Sequence, residues 1–322
     1  MKKSHWISLI VVVLLLGVYF VARYKEPIEK EQRFFKADSS SLGKIEFISS
    51  EDTVVIVRKG KEWRLSYPLA WDVNEVQLSS FFSKVLSITT SHTPMSEDPA
   101  MQSMYKVDDK QAIQVKTYNQ SGKLIDHVYI GNGTETSFDY GRRKDDKKIY
   151  QFKDNITNFV RPDIFQWRSP NITNLKRSNM DHIDIVYLKN AYTLTMVGDS
   201  IKYTDKRESF TIPMYNKAQY KLINALENLM TYQFVDKDTE QYQTAFQKPD
   251  CKITVYLKDK SIRTFTLIRK VETAANPLPG ESDKDVQILM MIDNKPSPLY
   301  EMTGDFINRF TKAPMHFRSE FE

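Results

Sequence analysis

The 322-residue chain has one cysteine, Cys251, so no intramolecular disulfide can staple it even in an oxidising compartment, and its fold must hold by packing. That cysteine lies far from the N-terminus, which excludes a lipoprotein. Glycine is scarce at ten residues, and neither GxGxxG nor GxxxxGK occurs, so the backbone cradles that bind nucleotide phosphates are missing and ATP hydrolysis is excluded. Histidine is scarce too. His5 borders an apolar run, and His92, His127, His182 and His316 stand at no metal-ligand spacing from one another. Charge of one sign is also lacking. Lys and Arg number 46 against 41 Asp and Glu, but Lys2, Lys3, Arg23 and Lys25 supply four of the basic residues, leaving 42 against 41 beyond them. A surface so close to neutral does not supply the phosphate-neutralising field of a nucleic-acid binder.

What is present begins with residues 6–22, WISLIVVVLLLGVYFVA, seventeen residues without a charge. As a helix this run reaches about 26 Å, the short end of what crosses a bilayer. Flanking charges tie, and the long polar remainder orients the run with the N-terminus in the cytoplasm and the bulk outside. A cleaved signal peptide is the competing reading, although VYFVAR at residues 18–23 lacks a small-x-small cleavage pair. Residues 23–41 mix charges, a proline and a serine run, and read as a stalk.

Beyond the stalk the pattern turns to short strands around Ile45, Phe47 and residues 54–57, with Gly60 marking a turn before Trp63 and Leu65. Asn74 opens a helical stretch carrying Val76, Leu78, Phe81, Phe82, Val85 and Leu86 at mixed spacings of three and four; residues 93–104 read as a loop; Ile113, Val115, Val128 and Ile130 flank a hairpin turned at Gly122. The second half repeats this order. Ile183 and Ile185 answer Ile45 and Phe47, Pro213 answers Pro68, the helix around Leu222 and Leu226 answers the one around Leu78, and residues 252–268 form a second hairpin. The closing blocks, residues 149–168 and 299–318, align at a constant offset that pairs Tyr150 with Tyr300 and Trp167-Arg168 with Phe317-Arg318.

Chemistry is sparse in this pattern. On a strand His182 and Asp184 share a face, but no third ligand is evident, and a solvated strand edge is the plainer reading. Cys251 opens an apolar strand, as a small buried side chain does. In the run GRRKDDKK, residues 141–148, Asp145 and Asp146 cancel half of the basic charge, which favours a solvated turn over an anion site. Trp63 and Trp167 read as core, whereas Trp71 suits a contact equally well. Residues 271–285 read either as a contact loop or as a disordered insertion. Four residues therefore stand as candidate partner or ligand contacts: Trp71, Tyr140, Arg142 and Arg143. No catalytic, cofactor-binding or metal residue is identified, and no cofactor is expected.

The segment KGKEWRLSYPLAWDVNEVQLSSFFSKVLSI, the hairpin ending in Tyr129-Ile130-Gly131-Asn132, Tyr140, the pair Ile149-Tyr150 and Trp167-Arg168 resemble the bacterial domain of unknown function 4340. The chain departs from that family's commoner pattern at Tyr105-Lys106-Val107, where Tyr-Gly-Leu is usual. The resemblance implies a single-span envelope protein associated with ABC-type transport systems related to gliding-motility export, and it offers no catalytic residue to carry across. The expected fold is α+β: an N-terminal transmembrane helix followed by two tandem homologous units of antiparallel sheet with one main helix each. The expected boundaries are 1–5 cytoplasmic tip, 6–22 anchor, 23–41 stalk, 42–168 first unit, 169–178 connector and 179–318 second unit. The expected function is a non-enzymatic extracytoplasmic accessory or binding subunit in the inner membrane, with the membrane and an ABC-type permease and ATPase as partners and no nucleic acid. The alternatives are a wall- or polysaccharide-binding adaptor and, behind it, an envelope hydrolase, which would need paired carboxylates in one groove.

Overall fold

The computed structural model describes residues 11–19, 31–132, 138–213, 216–270 and 286–319. Residues 11–19 form a helix, α1, whose apolar side chains are exposed; Leu15, for example, is 64% exposed. The rest of the apolar run lies outside the described residues, and among those described no helix is long and apolar enough to cross a membrane. The 271–285 loop also lies outside them. The chain divides into two compact units at Arg168 and Ser169.

Unit 1 is an eight-stranded antiparallel sheet built from β2 (Leu42–Ile48), β3 (Thr53–Lys59), β4 (Glu62–Tyr67), β5 (Trp71–Asp72), β7 (Ile113–Asn119), β8 (Leu124–Asn132), β9 (Asp139–Arg143) and β10 (Ile149–Gln151). Their order is β10-β9-β8-β7-β2-β3-β4-β5, with β1 (Glu31–Arg33) and β6 (Thr89–Ser91) paired as a separate ribbon. Alternation decides the faces: Ile45, Phe47, Val54, Ile56, Val115, Val128 and Ile130 all point into one core. Helix α2 (Glu75–Ser80) covers that core and runs on into a π-helical turn, Phe81–Val85. The wider turn places Phe81 and Leu86, five residues apart, both in the interior, which accounts for the uneven apolar spacing of this stretch.

Unit 2 is a nine-stranded sheet of β11 (Met180–Tyr187), β12 (Asn190–Val197), β13 (Ser200–Asp205), β14 (Ser209–Ile212), β15 (Gln233–Val235), β16 (Cys251–Leu257), β17 (Ile262–Arg269), β18 (Gln287–Ile292) and β19 (Lys295–Thr303). Its order is β14-β13-β12-β11-β16-β17-β18-β19-β15. In both units, then, the first strand of the large sheet pairs with the second strand after the main helix, β2 with β7 and β11 with β16, and two antiparallel runs extend outward from that central pair. Gly60 (φ +64) and Gly198 (φ +56) turn the matching hairpins in the left-handed region that an L side chain resists. Lys106 (φ 54) sits in the same region.

The main helices start alike. Asn74 caps α2 by accepting from the N–H groups of Val76 and Gln77, and Asn216 caps α5 (Lys217–Glu227) by accepting from Ala218 and Gln219. Each cap also donates from Nδ2 to the closing segment of its own unit: Asn74 to the carbonyl of Gln166 at 3.0 Å, Asn216 to that of Phe317 at 3.0 Å. These segments end in short helices, α4 (Ile164–Trp167) and α8 (Pro314–Ser319), which drive Trp167 and Phe317 into their cores.

Two expected stretches differ. Residues 34–37, assigned to the stalk, are interior: Phe34, Phe35 and Ala37 are buried in the core of unit 1, because two adjacent phenylalanines and an alanine outweigh the flanking charges. Residues 93–104, read as loop, close with the one-turn helix α3 (Met101–Met104).

Removing either cap should expose its dual role. Asn216→Ala leaves two helix N–H groups and the Phe317 carbonyl without partners in a buried setting, and should lower unfolding free energy by about 2 kcal/mol. Asn74→Ala, at a half-buried position, should lower it by about 1 kcal/mol. Urea midpoints of the two variants check both values.

Candidate functional site

The four contact candidates fall in two neighbourhoods. Tyr140, Arg142 and Arg143 lie on β9, and Trp71 on β5; six strand spacings separate these strands, about 29 Å along the sheet. Tyr140 is 8% exposed and packs with Val107, Ala112, Tyr129 and Ile149. Arg142 shares its face, is 6% exposed, and directs its guanidinium inward: Nε donates to the Val107 carbonyl at 3.1 Å, Nη1 to that of Lys144 at 3.1 Å, and the group lies 4.3 Å over the Tyr129 ring. It therefore holds two loops rather than presenting charge to solvent. Arg143, on the opposite face of β9, pairs with Asp126 at 2.9 Å and donates to the carbonyl of Phe34. Trp71 is half-buried beneath the guanidinium of Arg168, 4.2 Å from its ring.

Asp126, which sequence reasoning passed over, anchors this corner. It is 1% exposed and accepts from the N–H of Lys36 at 3.1 Å and of Ala37 at 2.8 Å, and from Arg143. A buried carboxylate needs such a set of donors to offset its lost hydration. The signal was available, since Asp126 is in phase with the inward Val128 and Ile130 on β8.

In unit 2 a groove of about 1030 Å³ is bordered by Lys176, Arg177, Gly198, Asp199, Glu227 and Lys258. Part of its charge is committed to the fold. Glu227 accepts from the N–H of Arg177 at 2.7 Å, and Arg177 Nη2 donates to the Asp199 carbonyl at 3.2 Å. What remains facing the groove is the ammonium groups of Lys176 and Lys258, the carboxylate of Asp199 and amides such as Asn174 and Asn228, a mixed lining suited to binding a polar surface. No cysteine or histidine borders it.

The reactive residue types lie elsewhere, in settings that restrain them. Cys251 is buried in β16, and burial, with Asp250 beside it, pushes its thiol up to about 12. His182 is bonded to Asp181 at 2.7 Å and stacked on Tyr256 at 4.1 Å, while Asp184 accepts from Thr193. Among the described residues no three His, Cys, Asp or Glu side chains are grouped to hold a metal ion.

Several hydroxyls behave like Cys251. Tyr118 and Tyr129 are pushed up to about 12, first by burial and then by hydrogen bonds to Glu46 and Asp109 respectively, and burial raises Tyr192 and Tyr203 as well. The folded chain thus keeps protons that the unfolded chain gives up from about pH 9 for the thiol and about pH 10 for the phenols. Stability tied to these groups should be complete below pH 9 and fall as pH rises toward 12. Urea midpoints measured from pH 7 to 11.5 should be level at first and then drop; a level profile throughout would contradict the assignment.

The profile of a protein family described as a domain of unknown function (DUF4340) matches residues 63–249. The match starts in β4, crosses the junction between the units and ends just before β16, covering more than half of the chain. No curated protein and no solved structure matches the chain. This chain belongs to the DUF4340 family.

Proposed function

We propose that the chain is a non-enzymatic, membrane-anchored accessory or binding subunit of an ABC-type envelope transport complex, with its two sheet units outside the cytoplasmic membrane. The observation that carries the binding role is the groove of about 1030 Å³ in unit 2, which presents ammonium, carboxylate and amide groups and no cysteine or histidine. Supporting the membrane setting is the uncharged run at residues 6–22, and supporting the partner is the association of ABC-type export systems implied by the family resemblance. The shared strand order of the two units further supports descent from one duplicated binding module. A run without ionisable groups offers no proton or ion relay, so a permease and an ATPase must supply the path and the energy.

Two measurements test this. Cys251 is buried and protonated at neutral pH, so Ser40→Cys in an exposed turn gives a clean reporter. A membrane-impermeant maleimide should label it in spheroplasts before lysis, and labelling only after lysis would refute the outward placement. Extraction in mild detergent followed by pulldown should recover a permease and its ATPase, and deleting residues 6–22 should abolish that recovery. Recovery of the tagged chain alone after crosslinking in cells would overturn the transport role.

A further inference from the structure

The C-terminal end of α5 and the segments around it frame a second groove in unit 2, about 280 Å³, lined by Asn224, Asn228, Met230, Tyr232, Met302 and Arg309. Tyr232 is 78% exposed and Met230 50%. Tyr220, one helical turn before Asn224 on the same face of α5, is 65% exposed. The polar groups among these rings are incompletely used. Asn228 Nδ2 donates to Asn224 Oδ1 at 2.6 Å, which leaves Asn224 Nδ2 as a donor and Asn228 Oδ1 as an acceptor without partners among the described residues. The guanidinium of Arg309 makes no hydrogen bond or ion pair among the described residues.

Unit 1 has a groove at the corresponding place, about 420 Å³, between the end of its main helix and its closing block, with Ser83, Lys84, Thr89, Lys153 and Phe159 in its wall. There the cations already have partners. Lys84 lies 4.5 Å over the Phe159 ring, and Lys153 pairs with Glu31 of β1, which also accepts from Thr89 at 2.8 Å. Strand β1 pairs with β6 over three residues to bring Glu31 there. In unit 2 the incoming chain makes a single bridge, Asn171 to Met230, directly after Pro170, which has no N–H to extend a ladder. Among the described residues no acidic side chain pairs with Arg309, and the tyrosine is exposed.

We infer that this groove of unit 2 binds a carboxylate-bearing glycan. An exposed tyrosine face stacks on the C–H face of a pyranose ring. An amide pair with one free donor and one free acceptor matches hydroxyls, which donate and accept at once. A single unpaired arginine supplies bidentate recognition of one carboxylate. A phosphate-rich ligand would call for several converging cations, and this groove has one. The inference adds a ligand class to the binding role proposed above and rests on that reading for its cellular setting. The binding itself is independent of any permease, so failure of one is separable from failure of the other.

The test uses the full-length chain in mild detergent and a fluorescein-labelled hyaluronate hexasaccharide, whose alternate sugars carry carboxylates, read by anisotropy. The probe should bind, and Tyr232→Ala and Arg309→Gln should each weaken binding at least about tenfold. Tyr232→Phe should retain it, and unlabelled dextran should compete far less well than unlabelled hyaluronate. Both positions are exposed, so circular dichroism and melting temperature should not change. No binding at protein concentrations up to about 1 mM would overturn the inference. So would binding indifferent to both substitutions, or displacement of the probe by polyglutamate as readily as by unlabelled hyaluronate, which would mark the groove as a site for acidic peptide.

Discussion

In each unit the asparagine that begins the main helix reaches across to the chain segment that ends the unit. Asn74 satisfies the first N–H groups of α2 with one end of its amide and holds Gln166 with the other, and its own N–H donates to Trp167 at 2.7 Å. Asn216 does the same between α5 and Phe317. Strand pairing fixes the sheet, but between the start of the helix and the closing segment, which arrives much later in sequence, the backbone of unit 1 gives only an isolated bridge, Val73 to Arg168, and leaves most of the link to side chains. The amide supplies that link, and it sets where the closing aromatic enters. Trp167 then stacks on Phe47 with ring centroids 4.4 Å apart, and Phe317 packs against Tyr192 and Tyr203 at 5.7 and 5.6 Å. A cap in an exposed helix contributes about 1 kcal/mol; here it also positions a ring whose burial contributes more.

Charge in the described residues is turned inward to a degree the near-neutral composition does not suggest. Asp126 with Arg143 ties the residues before β2 to the far side of the sheet, Arg142 holds two loops by their carbonyls, and Glu301 meets Lys270 at 2.7 Å. Breaking one partner of such a set leaves the other charge desolvated, so these residues are fixed by the fold whatever the chain binds. On unit 2, by contrast, Lys176, Lys258, Arg309 and Tyr232 face solvent.

Much of the architecture could be read along the chain because it is local. Alternating apolar residues mark β2, β7, β11 and β16; Gly60 and Gly198 mark matching turns; Asn74 marks a helix start; and the order strand, helix, hairpin, closing block recurs. The candidate site was harder to read for a physical reason. Tyr140, Arg142 and Arg143 look available in a polar run, yet exposure depends on which loops fold over β9, and the carbonyl of Val107 that engages Arg142 reaches it only through tertiary structure. Asp126 was concealed in the opposite way, as an acidic residue at an inward position whose donors come from residues 36, 37 and 143.

The amino-acid sequence by itself determined most element types, the recurrence of their order, the uncharged run, and the lack of the two glycine-rich phosphate-loop motifs and of a cysteine pair, since each follows from residue identity and spacing within a few turns or strands. Tertiary structure alone decided that β2 meets β7 and β11 meets β16, that Phe34 and Phe35 belong to the core, and that the cations of one groove are paired while Arg309 in its counterpart has no ion-pair partner among the described residues. Those outcomes turn on burial and on partners distant in sequence, and the desolvation that fixes them has no local signature.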